Sequence, residues 1–125
     1  MREKTIGRRK IYENDFLTVR EDDVELPLGQ CSKRIVIDHI GSACVLPVTD
    51  RGEVLLIEQY RYAFDETVYE IPAGKKDEKS ESTLTCAKRE LEEETGYQSE
   101  NLTFLSEIYP CVGYSNEKID LFLAR

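Results

Sequence analysis

The sequence predicts an α+β fold, a mixed sheet carrying one helix behind a β-rich N-terminal arm. Three observations predict it. Alternating apolar residues and β-formers recur along most of the chain. A single segment, Ser82 to Thr95, has a helical apolar period with cap signals at both ends. The chain has 125 residues, 40% hydrophobic and 34% charged, which suits one soluble core.

Taken in order, Ile6 to Tyr12, Phe16 to Leu26 and Arg34 to Ile40 read as strands, with turns at Asn14-Asp15 and Leu28-Gly29-Gln30. This stretch is poor in large apolar residues and makes a thin meander that wants a partner surface. Gly41 to Thr49 reads as a buried strand centred on Cys44-Val45-Leu46, followed by a hairpin turn at Asp50-Arg51-Gly52 and a returning strand, Glu53 to Tyr60. Thr67 to Ile71 is a short strand ended by Pro72 and Gly74, and Lys75 to Ser80 is a charged loop. The helix over Ser82 to Thr95 takes Ser80 or Ser82 as its N-cap, a Leu84/Ala87/Leu91 stripe as its buried face, and Gly96 as its C′ residue. Leu102 to Tyr109 and Lys118 to Ala124 complete the strands. One helix leaves the other face of such a sheet uncovered, so the chain reads as stopping early.

Lys and Arg total 17 against 25 Asp and Glu, a net charge of −8, which argues against general duplex-nucleic-acid binding. It leaves small phosphorylated ligands open, since a divalent cation can bridge carboxylates to phosphates. No apolar run is long enough to span a membrane, and Met1 to Lys10 has no apolar leader core. Cys31, Cys44, Cys86 and Cys111 are widely spaced and form no C-x-x-C; with His39 the one histidine, a zinc cluster is not expected. They read as reduced cytoplasmic packing thiols.

The chemical signal concentrates in Arg89-Glu90-Leu91-Glu92-Glu93-Glu94-Thr95-Gly96-Tyr97. Glu90 and Glu94 are i, i+4 neighbours beside the buried stripe, and Glu93 adjoins them. The plain alternative is a solvated acidic face with Lys88–Glu92 and Arg89–Glu93 pairs. Two costs count against it: like charges at i, i+4 repel, and the acids crowd the negative end of the helix dipole. Clustered carboxylates tolerate both when a divalent cation such as Mg²⁺ or Mn²⁺ neutralises them.

These residues resemble the Nudix box, G-x5-E-x7-R-E-U-x-E-E-x-G-U, with U a bulky apolar residue. Arg89, Glu90, Leu91, Glu93, Glu94, Gly96 and Tyr97 match in register, and Glu81 lies seven residues ahead of Arg89 as the pattern asks. By average residue usage this half-motif arises by chance on the order of once in 10⁵ chains of this length. Gly74 and Glu81 are separated by six residues rather than five: either the polar Lys75–Ser80 loop carries one extra residue, which is cheap there, or the glycine role is displaced. Glu58-Gln59-Tyr60-Arg61 and Glu70-Ile71-Pro72-Ala73-Gly74 are similar to the ADP-ribose pyrophosphatase branch of the family. Cys111 to Lys118 resembles that branch's Ser-Pro-Gly segment, with Cys111 and Val112 in place of Ser and Pro.

The resemblance implies an α/β/α Nudix-type mixed sheet, with residues 1–40 as an arm exchanged in a homodimer and residues 41–125 as the core. It implies Mg²⁺ (or Mn²⁺) bound by Glu90, Glu93, Glu94 and the Ala73 carbonyl. Arg61 and Glu70 would contact substrate, Glu117 would be a catalytic or supporting acid, and Gly74, Glu81, Arg89 and Gly96 would be structural. For Arg61 a surface ion pair is an equal alternative, and His39 reads as a packing group at a strand end. The implied reaction is metal-dependent hydrolysis of a nucleoside diphosphate joined to another group, ADP-ribose giving AMP and ribose 5-phosphate. The alternatives are another nucleotide sugar, an oxidised nucleotide, or a catalytically deficient binding or dimerisation module. The branch continues past this point with a general-base glutamate, a strand and a helix, so a fragment or shortened gene is expected.

Overall fold

A computed structural model describes all residues from Met1 to Arg125. The elements are β1 (Lys4–Glu13), β2 (Leu17–Glu25), β3 (Cys31–His39), β4 (Ser42–Pro47), β5 (Ile57–Arg61), β6 (Glu66–Glu70), β7 (Ala73–Lys75), α1 (Thr83–Thr95), β8 (Leu102–Ile108) and β9 (Ile119–Ala124). They make three sheets: an antiparallel β1-β2-β3 arm, a mixed β7-β4-β9-β8 sheet, and a β5-β6 hairpin.

The arm folds at the expected turns. The Asn14 side chain accepts from the amides of Phe16 and Leu17, both at 3.0 Å, and Gly29 supplies the positive φ of 91° at the second turn. Gly41 ends β3 in the same way, with φ of 103°, and lets the chain turn from the arm into β4. β4 runs parallel to β9 and antiparallel to β7. Being central, it is the most buried strand, with Ala43 and Val45 fully covered.

The core lies between this sheet and α1: Ala43 and Val45 from β4, Cys86, Ala87 and Leu91 from α1, and Phe122 and Ala124 from β9. Leu91 alone contributes about 2 kcal/mol by leaving water. Ser82 is the N-cap, accepting from Thr85 N, and Gly96 takes the left-handed conformation after Thr95. No helix is long and apolar enough to cross a membrane.

Three expectations need correction. The strand returning from the Asp50-Arg51-Gly52 turn is interrupted. Only Val54 bridges back, to Val48, and regular pairing resumes at Ile57 with β6 rather than β4. The place beside β4 is taken by β7, so Gly74 sits inside a short strand instead of ending one. On α1, Leu84 is exposed and Cys86 takes its place in the core, because the sheet meets the face one position further round.

Burial pushes the thiols of Cys44 and Cys86 up to about 11. At about pH 8 a disulfide reagent should therefore label Cys31 and Cys111 in the native protein, and Cys44 and Cys86 only after denaturation. Equal reaction of all the thiols in the native state would contradict this packing.

Candidate active site

Packing of Cys86, Ala87 and Leu91 against β4 fixes the rotation of α1, and that rotation turns Glu90 and Glu94 toward β7. Glu90 lies directly over Gly74, where a β-carbon would overlap its carboxyl group. Glu94 Oε1 accepts from the amide of Ala73 at 3.3 Å. The glycine thus serves close approach between strand and helix rather than a turn.

Arg89 holds the arrangement. Its Nε and Nη2 donate to the two carboxylate oxygens of Glu81, at 3.3 and 2.8 Å, and its Nη1 donates to Glu90 Oε1 at 2.7 Å. Asp77 approaches the same guanidinium at 3.2 Å, and the Asp77 amide donates to Glu81 at 2.9 Å. The polar loop is thereby fastened to the helix. Arg89 holds the Glu81 carboxyl below the usual range, with the Asp77 amide adding to the effect. Glu93, at 3.9 Å from Arg89, is 59% exposed and turned to water. The Lys88–Glu92 pair of the solvated-face alternative does not form: Glu92 accepts from Gln98 at 2.9 Å and Lys88 faces Glu100 at 3.9 Å.

Glu94 carries the electrostatic cost of this cluster. Burial first, then the neighbouring Glu90, push its carboxyl up to about 7. Its last-turn position adds to the cost, since no basic residue lies in that turn.

Glu90, Glu93, Glu94, Ala73, Gly74, Arg61 and Glu117 all line one open cleft of about 1130 Å³. Glu117 belongs to the facing wall. Its Oε2 accepts from the buried Ser42 hydroxyl at 2.9 Å and lies 3.6 Å from His39 Nε2. His39 Nδ1 accepts from the Gly41 amide at 2.9 Å, so a neutral imidazole carries its proton on the nitrogen facing Glu117. Its ring meets Phe16 edge-on, consistent with a packing role at the strand end. Arg61 and Glu70 are joined as a bidentate ion pair, and Glu70 is not among the cleft-lining side chains. Gly96 caps α1 away from the cleft, its amide donating to Glu92 at 2.8 Å. Ser42 and Asp77 belong to no motif in the sequence. A hydroxyl within a buried apolar strand needs a partner, and that requirement was the available signal for Ser42.

No three acidic, histidine or cysteine side chains converge as a ready-made metal cage, because Arg89 engages Glu90 and Glu93 faces solvent. The donors on α1 and β7 are nonetheless all hard oxygens, and Glu90 and Glu94 stand as neighbouring carboxylates over the Ala73–Gly74 strand. Both properties suit a hard divalent cation.

Gly74→Ala should displace the Glu90 carboxylate while costing little stability, because the added methyl meets the flexible end of a side chain. Any hydrolytic activity should fall by about tenfold or more with a melting temperature within a few degrees of the parent. Unchanged turnover would show that Glu90 need not lie against Gly74.

A family model described as NUDIX domain matches residues 38–123, and one described as Nucleoside diphosphate sugar hydrolase N-terminal domain matches residues 3–34. An ADP-ribose pyrophosphatase of Bacillus subtilis is 42% identical over 125 residues, covering 100% of this chain and 67% of that protein. A methanol dehydrogenase activator of Bacillus methanolicus is 41% identical, covering 98% of this chain and 66% of that protein. A crystal structure of an ADP compounds hydrolase matches with a TM-score of 0.84 at 22% identity, covering 99% of this chain and 67% of that one, and so shares the fold. The chain spans about two thirds of the length of these relatives.

Proposed function

The chain belongs to the Nudix family, and we propose that it hydrolyses the pyrophosphate of a nucleoside diphosphate joined to another group, with ADP-ribose giving AMP and ribose 5-phosphate. One observation carries the reading: paired carboxylates of α1 meet the Ala73–Gly74 strand at the floor of a cleft of about 1130 Å³.

Nudix hydrolases use a divalent metal, and Mg²⁺ or Mn²⁺ is the ion assigned here. Glu90, Glu94 and the Ala73 carbonyl would hold it, with Glu93 turning in from solvent. Bound there, the ion would offset the pyrophosphate charge and acidify a water molecule. Arg89 keeps the Glu90 carboxylate oriented. Arg61, aligned by Glu70, offers its guanidinium to the phosphates or the terminal ribose. Glu117, steadied by Ser42, is the acid assigned to hold a proton on the facing wall.

A second reading keeps the chemistry and changes the substrate to another nucleotide sugar or an oxidised nucleotide. Cys111 and Val112 favour it, since they stand where the ADP-ribose branch has Ser and Pro. Turnover of a nucleotide-sugar panel separates the two.

Residues 1–40 are assigned to self-association in a homodimer and residues 41–125 to the hydrolase unit. The arm leaves Ile6, Ile11, Tyr12 and Ile35 exposed, which supports a partner surface. The four cysteines of the chain form no disulfide, which suits a reducing cytoplasm.

Glu94→Gln should reduce release of AMP from ADP-ribose by about a hundredfold or more, and a chelator should abolish the parent's activity. The same variant should be stabilised. The Glu94 carboxyl is raised from 4.5 to about 7, so the folded chain binds its proton more tightly than the unfolded chain. That contribution is fully present below the lower value and is lost as pH rises through the higher one. In chelator above pH ~7, Glu94→Gln should exceed the parent by about 1 kcal/mol after allowance for screening. The difference should shrink toward pH ~4.5. Parental turnover by Glu94→Gln would refute the site assignment.

A further inference from the structure

The facing wall of the cleft is not built from the hydrolase sheet alone. Residues 114–116 run beside the end of β3, with Ser115 bridging Ile37 in parallel. The Ile37 amide donates to Tyr114 O at 2.7 Å and the Asn116 amide donates to Ile37 O at 3.1 Å. The Asn116 side chain completes the attachment with both of its functions. Its Oδ1 accepts from the His39 amide at 2.9 Å, and its Nδ2 donates to Asp38 Oδ1 at 2.6 Å. Asp38 is in turn ion-paired with Arg20 of β2, whose Nε also donates to the buried Asp22. The next residue is Glu117, whose amide donates to Ser115 Oγ at 3.1 Å and whose carboxylate reaches Ser42.

We propose that Asn116 is a positioning residue: it ties the arm network Asp22–Arg20–Asp38 to the loop that presents Glu117, so that the arm sheet sets one wall of the cleft. Polarity and reach both point to this role. The position needs an acceptor facing His39 N and a donor facing the Asp38 carboxylate, and asparagine supplies both from one rigid amide. The link from Asn116 to Glu117 is a single peptide unit, so a tilt of the loop moves Glu117 directly. The proposal rests on the assignment of Glu117 to proton handling. It adds that a residue outside the cleft lining, fixed by the arm, governs how well Glu117 performs.

The test is a polarity swap. Asn116→Asp keeps the acceptor for His39 but sets a carboxylate against Asp38. Adding Asp38→Asn restores a donor and acceptor pair, since the new amide can donate to the carboxylate introduced at position 116 and accept from Arg20. Asn116→Asp should lower kcat for ADP-ribose by about tenfold or more, with KM within about twofold because the substrate-facing groups are untouched. The double variant should recover most of the loss. A readout independent of activity runs in parallel. Amide hydrogen exchange at Ile37, His39 and position 116 should speed up in Asn116→Asp and slow again in the double variant, while Leu91 in α1 stays protected. Wild-type kcat in Asn116→Asp alongside inactive Glu94→Gln would overturn the positioning role and leave the hydrolase reading standing. Full turnover by Glu94→Gln would instead overturn that reading. In that event the exchange data decide the coupling, and unchanged protection in Asn116→Asp would refute it. No recovery in the double variant, by either readout, would also refute it.

Discussion

The site depends on one guanidinium. Arg89 sits among Glu81, Asp77 and Glu90, and its guanidinium touches all three acids. Its bidentate bond to Glu81 fastens the loop, and its remaining nitrogen holds Glu90 over Gly74. A lysine would keep the charge but lose this planar fork. The helix end itself offers no help, since no basic residue lies in the last turn. Glu94 has no such partner, and burial first, then Glu90 beside it, hold its carboxyl up.

Rotation of α1 is the second requirement, and it comes from small residues. Ala43 and Val45 on β4 face Cys86 and Ala87 on α1, and short side chains on both surfaces let strand and helix approach closely. A bulky residue at 86 or 87 would push the helix outward and lift Glu90 off the strand. The central position of β4, with β7 antiparallel on one side and β9 parallel on the other, makes this contact possible. Core packing and site geometry are therefore the same set of contacts viewed from two sides.

Much of this was legible in the sequence because it is local. The cap at Ser82, the C′ role of Gly96 and the neighbourhood of Glu90, Glu93 and Glu94 follow from helical spacing over a few residues. The arm strands and their turns at Asn14 and Gly29 were legible for the same reason. What could not be read were pairings between distant segments. β7 displaces the expected return strand beside β4, which placed Gly74 within a strand. Leu84 fits the stripe of Ala87 and Leu91 better than Cys86 does, yet the direction from which the sheet approaches buries Cys86 and leaves Leu84 exposed. Ser42 gains its partner Glu117 from 75 positions away. Arg61 makes the ion pair of its plainer reading, with Glu70, and it also lines the cleft.

The central claim is that the carboxylates of α1 and the Ala73–Gly74 strand form the cation site. Paramagnetic broadening of amide resonances by Mn²⁺ tests it most directly, because the effect falls steeply with distance from the ion. Broadening should centre on Ala73, Gly74, Glu90 and Glu94, extend to Glu93, and spare β1. The competing acidic surface, around Glu13, Asp15, Asp38 and Glu78, is also concave. Broadening centred there, with Ala73 and Gly74 unaffected, would contradict the account.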